Sequence, residues 1–198
     1  NFTDNININE PGVIDVIPTV SNNNGFGVSC FGSSDGEITA IISGGIAPFV
    51  VQYGSLFPTT QIADTFVTFS SLSGSAEDLT ITDANGCEHT TNISITQPNL
   101  LEIVSYVVTN PTCYGINDGS ATINVTGGVT PYSFVDANLS PFDTSSIGPG
   151  PPTVFVLDLN GCSASVNLII EEPAEIVISN VQCLNSISIE VQNALGDF

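Results

Sequence analysis

The sequence has no lysine and no arginine, and only one histidine. Against these stand 20 carboxylates, so the formal net charge is -20 and no side chain can offset it. Internal salt bridges are nearly excluded. Binding a phosphate backbone or an anionic lipid surface needs clustered cations that displace counterions, so neither nucleic acid nor an anionic membrane is expected as a partner. The same absence removes Schiff-base lysines, P-loops, arginine clamps and lysine-to-asparagine isopeptide cross-links. No apolar run approaches the roughly 18 residues that span a bilayer, so membrane insertion is not expected. With no initiator Met and no basic n-region at its start, the chain reads as a mature product or an excised portion.

What is present favours folding. Of the 198 residues 41% are hydrophobic, and Gly and Pro recur along the whole length, which suits one or two compact domains. The charge should keep copies soluble and mutually repelling at low salt, so association should depend on ionic conditions.

An internal repeat organises the chain. "DANGCEHTTNISITQPNLLEIV" (83–104) aligns with "DLNGCSASVNLIIEEPAEIVI" (158–178) at an offset of 75 residues. Upstream, "CFGSSDGEITAIISGGIAPFV" (30–50) aligns with "CYGINDGSATINVTGGVTPYSF" (113–134) at an offset of 83. Two copies of one unit are present, and the difference of eight residues falls in the middle loops. In each unit an Asp-Gly turn, Asp35-Gly36 or Asp118-Gly119, feeds an alternating run that Gly44-Gly45 or Gly127-Gly128 ends. Alternation predicts Ala121, Ile123 and Val125 facing a core and Thr122, Asn124 and Thr126 facing water. Six or seven short strands in about 80 residues, with no helical period, predict an all-β fold of tandem immunoglobulin-like antiparallel β-sandwiches.

The opening "NFTDNININEP" alternates Ile6 and Ile8 with asparagines, and aligning Pro11 with Pro98 places these two on Ile93 and Ile95. Residues 1–12 therefore read as the closing strand of a preceding or neighbouring repeat. Residues 13–98 form repeat 1, 99–173 repeat 2, and 174–198 the opening strands of an incomplete third domain. Either a longer array has been cut, or Ile6 and Ile8 complete a neighbouring subunit by donor-strand exchange and produce head-to-tail filaments.

Cys30 and Cys87 occupy the places in repeat 1 that Cys113 and Cys162 occupy in repeat 2. Pairing within each unit is the simplest reading, and closing the 57-residue separation in repeat 1 would contribute about 4 kcal/mol. Disulfides imply an oxidising, extracellular setting. Cys183 is left unpaired or intermolecular, its partner expected in an Asn-Gly-Cys turn beyond Phe198 or before Asn1. With no C-x-x-C pair and only His89 nearby, zinc binding has little support.

The pattern C-[FY]-G-x-x-D-G, then G-G-x-x-P-[FY], then D-x-N-G-C and a closing strand ending in Pro resembles the SprB repeat. That family occurs in very large cell-surface adhesins associated with gliding motility and in many other secreted bacterial proteins. The resemblance covers about residues 13–98 and 101–173, whereas "YGSLFPTTQIADT" and "CLNSISIEV" depart from the pattern. It implies a stalk or adhesin built from tandem sandwiches without a defined ligand pocket.

Candidate sites are few. Asp35, Asp118, Asp83 and Asp158 recur in turns, where a carboxylate accepts hydrogen bonds from turn backbone. Calcium is the sharper alternative for these four, since hard cations take clustered carboxylates, although no D-x-D-x-D-G loop is present; otherwise no cofactor is expected. Glu171-Glu172 with Asp143 could be imagined as a glycosidase pair, but the aligned Thr96-Gln97 does not preserve it, and no enzymatic activity is expected. Asn92, Asn124 and Asn138 begin N-x-[ST] sequons, as does Asn1, and are candidates for glycosylation. Tyr53, Phe57, Tyr132 and Phe142 read as core residues.

The sequence thus predicts an acidic extracellular structural or adhesive repeat protein, a stalk or fibre subunit at a bacterial cell surface. Its partners would be tandem neighbours or copies of itself, with surface polysaccharide as a further candidate. The alternative is a polysaccharide-binding module of a secreted enzyme.

Overall fold

A computed structural model describes residues 10–55, 60–63, 65–183 and 187–192, with the backbone alone at 60–61, 179–183 and 187–192. Ile6, Ile8, Asn1 and Phe57 lie outside the described residues, as does the side chain of Cys183. Among the described residues every regular element is a β-strand, and every strand pairing is antiparallel. The chain divides into two compact units, Asn1–Asn99 and Leu100–Phe198.

The first unit contains β1 (Asp15–Val20), β2 (Gly36–Ser43), β3 (Phe49–Tyr53), β4 (Thr60–Ile62), β5 (Phe66–Leu72), β6 (Ser75–Thr82) and β7 (Glu88–Ile95). They form two sheets, β1-β2-β5 and β4-β3-β6-β7. Alternation decides which side chains meet between them. Ile38, Ala40 and Ile42 of β2 are buried while Ile41 points outward, and Val67 and Phe69 of β5 join them from the same sheet. From the facing sheet come Phe49, Val51 and Tyr53 of β3, Leu79 and Ile81 of β6, and Ile93 and Ile95 of β7. All belong to one apolar cluster, so two sheets share one core. This is the seven-strand, two-layer arrangement of an immunoglobulin-like sandwich.

The second unit repeats the scheme with β8 (Glu102–Thr109), β9 (Ser120–Thr126), β10 (Ser133–Val135), β11 (Thr153–Leu157) and β12 (Ser163–Asn167). β8 pairs with β9, and β10-β11-β12 form a three-stranded sheet. Ala121 is buried and Ile123 and Val125 are half-buried, while Thr122, Asn124 and Thr126 are exposed, as alternation predicts. Its core gathers Ala121, Ile147, Val154, Leu168 and Ile170, with Ile123, Phe134 and Phe142 packed against them.

The middle of this repeat departs from the first. Between β10 and β11, where the first repeat has β4 and β5, only isolated bridges occur, at Val135 with Pro141, Gly119 with Ile147 and Gly150 with Ile170. This stretch is shorter by eight residues and carries Pro141, Pro149, Pro151 and Pro152, each of which lacks the N–H a ladder needs. The unit also holds β13 (Val177–Cys183) and β14 (Ile187–Gln192), which pair with each other as a separate two-stranded sheet.

Candidate functional site

The repeated motifs gather at the two ends of each sandwich. At the entry end of the first repeat, Gly44 and Gly45 both have positive φ, 71° and 63°, and so turn the chain sharply after β2. A Cβ on Gly44 would lie 2.0 Å from the Val13 carbonyl oxygen, which explains the need for glycine. The turn presents the Ile46 N–H to Asp83 Oδ2 at 3.1 Å, while Asp83 Oδ1 accepts from the N–H groups of Asn85 and Cys87, both at 2.9 Å. One buried carboxylate thus ties the Gly-Gly turn to the Asn-Gly-Cys turn.

The second repeat reproduces this clamp. Gly127 and Gly128 have φ of 74° and 58°, the Val129 N–H meets Asp158 Oδ2 at 2.7 Å, and Asp158 Oδ1 accepts from Asn160 and Cys162. The peptide bonds Ala47-Pro48 and Thr130-Pro131, at matching places after each glycine pair, are both cis. Hydrogen bonds from the Cys87 backbone first, then from Ile46 and Asn85, hold the Asp83 carboxyl below its usual range.

At the opposite, closing end, Val28 and Gly27 donate their N–H groups to the Thr96 carbonyl, and the Gly32 N–H donates to Gln97 Oε1 at 3.0 Å. In the second repeat the Gly115 N–H donates to Glu172 Oε1 at 2.6 Å, and Asn110 Oδ1 accepts from the Glu171 N–H. Asp35 accepts from the Ser29 N–H and Asp118 from both the N–H and the hydroxyl of Thr112. The hydroxyl bond comes first in holding each of these two carboxyls below its usual range, the backbone N–H second. Gln97 and Glu172 occupy equivalent positions with different residue types, and the sequence alone offers no sign that they do the same work.

Within each repeat the two recurring aspartates lie at opposite ends of the sandwich. Asp35 and Asp118 sit at closing ends and Asp83 and Asp158 at entry ends, each bonded to turn backbone. Among the described residues no group of three or more His, Cys, Asp or Glu is placed to hold a metal ion. Asp143 bonds the hydroxyl and then the N–H of Ser145, which lower its pKa, the opposite of what a glycosidase general acid requires. Glu172 is engaged with Gly115. Tyr132 donates its hydroxyl to the Gly127 carbonyl, and Tyr53 and Phe69 stack within the core. Asn92, Asn124 and Asn138 are exposed; Asn92 and Asn124 donate their amides to Asp78 and Ser105, across β6–β7 and β8–β9 respectively.

The expected pairing of Cys30 with Cys87 and of Cys113 with Cys162 is corrected by the structure. Cys87 and Cys113 are free and exposed, whereas Cys30 and Cys162 are disulfide-bonded. The reason is length. Cys30 lies between Val28 and Gly32, beside Thr96 and Gln97, while Cys87 precedes the other end of β7. Nine residues of extended chain span about 30 Å, against the roughly 4.4–6.8 Å between Cα atoms that a disulfide allows. Cys113 lies likewise beside Glu172, ten residues along the closing strand from Cys162. Equivalence of position does not mean proximity, and the loop-closure stabilisation of about 4 kcal/mol does not arise within a repeat.

The SprB repeat family model matches residues 28–50 and 105–135. In these two stretches the chain is similar to the SprB repeat. Both matched stretches begin beside or before the closing-end cysteine and run through β2 or β9 and the Gly-Gly turn to the strand beyond. SprB repeats are structural elements of cell-surface proteins. No curated protein and no solved structure matches the chain.

Proposed function

We propose that this chain is part of an extracellular stalk or adhesin in which SprB repeats act as load-bearing spacers at a bacterial cell surface. The observation that carries this reading is the duplicated clamp. Asp83 and Asp158 make the same three backbone hydrogen bonds in two copies whose intervening residues differ. What has been kept in both copies is the means of holding a sandwich shut. The disulfide bonding of Cys30 and Cys162 fits an oxidising exterior. Absence of Lys and Arg also removes every trypsin cleavage site, which suits prolonged exposure outside the cell.

An antibody raised against the 198-residue chain tests the reading on cells that produce it. Intact, unpermeabilised cells should be labelled. Labelling that requires permeabilisation would exclude a surface role.

A further inference from the structure

Among the described residues two exposed thiols are free, Cys87 and Cys113, and they sit at opposite kinds of end. Cys87 follows the Asn-Gly turn at the entry end of the first repeat, where it lines a recess of about 280 Å³ with Glu10, Gly12, Val13, Asp83 and His89. Cys113 opens the C-[FY]-G turn at the closing end of the second repeat, next to the half-exposed ring of Tyr114. Their counterparts in the other repeat are Cys162 and Cys30, and both of those are disulfide-bonded. Each of the two positions therefore accepts a disulfide in this structure, and the length of the closing strand prevents that disulfide from closing a single repeat.

We propose that Cys113 of one copy of this chain and Cys87 of another form an intermolecular disulfide, linking copies head to tail. The proposal rests on the stalk reading above and gives it a covalent joint. Each end brings apolar surface to the contact: Tyr114 is 52% exposed beside Cys113, and Val13 and Ile46 are exposed near Cys87. With no lysine or arginine, the chain has almost no opposite charge to draw its copies together. The linkage accordingly needs salt to screen -20 on each partner. In the step itself the two thiols give up two protons and two electrons as the S–S bond forms. A small-molecule disulfide such as oxidised glutathione takes them up and is split into two thiols.

The test uses the full chain in a Cys183→Ser background, in 0.15 M salt with oxidised glutathione, read on non-reducing gels and by mass spectrometry after Glu-C digestion. The parent should form a ladder of covalent multimers containing the Cys87–Cys113 peptide pair, lost on reduction. Cys87→Ser alone and Cys113→Ser alone should stay monomeric, whereas their mixture should give a dimer and nothing longer, with circular dichroism of each variant matching the parent to show that both fold. Dimers from either variant alone would overturn the proposal, because they would require like-to-like bonding. So would Cys30–Cys87 or Cys113–Cys162 peptides, or a parent that stays monomeric with both thiols free. Any of these outcomes leaves the surface location, judged by antibody labelling, standing or falling separately.

Discussion

The Val129 N–H and Asp158 Oδ2 are 2.7 Å apart, joining two turns that lie 29 residues apart in sequence. The carboxylate is buried, and three backbone donors converge on it. Replacing Asp158 by Asn keeps an acceptor for the Asn160 and Cys162 N–H groups but sets an NH2 against the Val129 N–H. One buried donor then loses its partner, at a cost of about 1–3 kcal/mol. Urea unfolding should show the midpoint lowered with an unchanged m-value. An unchanged midpoint would mean that the clamp contributes nothing.

The clamp needs the glycine turn as much as the aspartate. Gly44→Ala places a methyl group on a backbone with φ of 71° and 2.0 Å from the Val13 carbonyl oxygen. Backbone cannot yield as a flexible side chain can, so the variant should be destabilised by more than the roughly 1 kcal/mol that left-handed geometry alone costs. Gly86→Ala is the control. Its φ of 82° is similarly unfavourable, but nothing lies within 4 Å of the added methyl. Thermal melts should therefore show Gly44→Ala below Gly86→Ala.

Acid should act on stability in two opposing ways. Protonating ordinary carboxylates relieves the self-repulsion of a chain at -20, so at low salt the melting temperature should rise as pH falls from 7 toward the carboxylate range. Asp35, Asp83, Asp118 and Asp143 have folded pKa values below the ordinary 3.8. Their contribution is complete above that value and is lost as pH falls through the folded values. Stability should peak above pH 3.8 and decline below it, and raising the salt should flatten only the rise. Monotonic loss from pH 7 downward at low salt would contradict the repulsion argument.

Leu79 tests the core. It is fully buried in β6 between the sheets of the first unit, and truncation to Ala removes packed volume that surrounding strands cannot refill. The expected loss is about 2–5 kcal/mol, measurable by urea unfolding. Val104→Ala on β8, where the side chain is 58% exposed, should change stability by less than about 0.5 kcal/mol.

These features were unequally legible in the sequence. Alternation marked Ala121, Ile123 and Val125 as the core-facing side of β9 because a strand's period is a local property. The repeated Asp, Gly-Gly and Asn-Gly-Cys turns could likewise be found, since each depends on residue types that few others replace. The cysteine pairing could not. Alignment shows that Cys30 and Cys113 are equivalent, but only the run of β7 and β12 shows that each lies a domain's length from its supposed mate. The loss of strands in the middle of the second repeat was hidden for another reason: Pro141, Pro149, Pro151 and Pro152 act through ladder donors they lack, and that matters only once neighbours are known.

Gln97 and Glu172 were hidden because a hydrogen-bond acceptor can be supplied by either amide or carboxylate, and this gives the last prediction. The Gly115 N–H uses only Glu172 Oε1, and the Gly32 N–H uses only Gln97 Oε1. Glu172→Gln should therefore keep the bond and hold stability within about 0.5 kcal/mol, since the change is at an exposed site. Glu172→Ala removes the acceptor and should cost about 0.5–1.5 kcal/mol. Hydrogen exchange separates the two at one atom: the Gly115 amide should remain protected in Glu172→Gln and exchange faster in Glu172→Ala. Equal exchange in both would show that this carboxylate does not hold the closing-end turn, and that the match between Gln97 and Glu172 is one of position only.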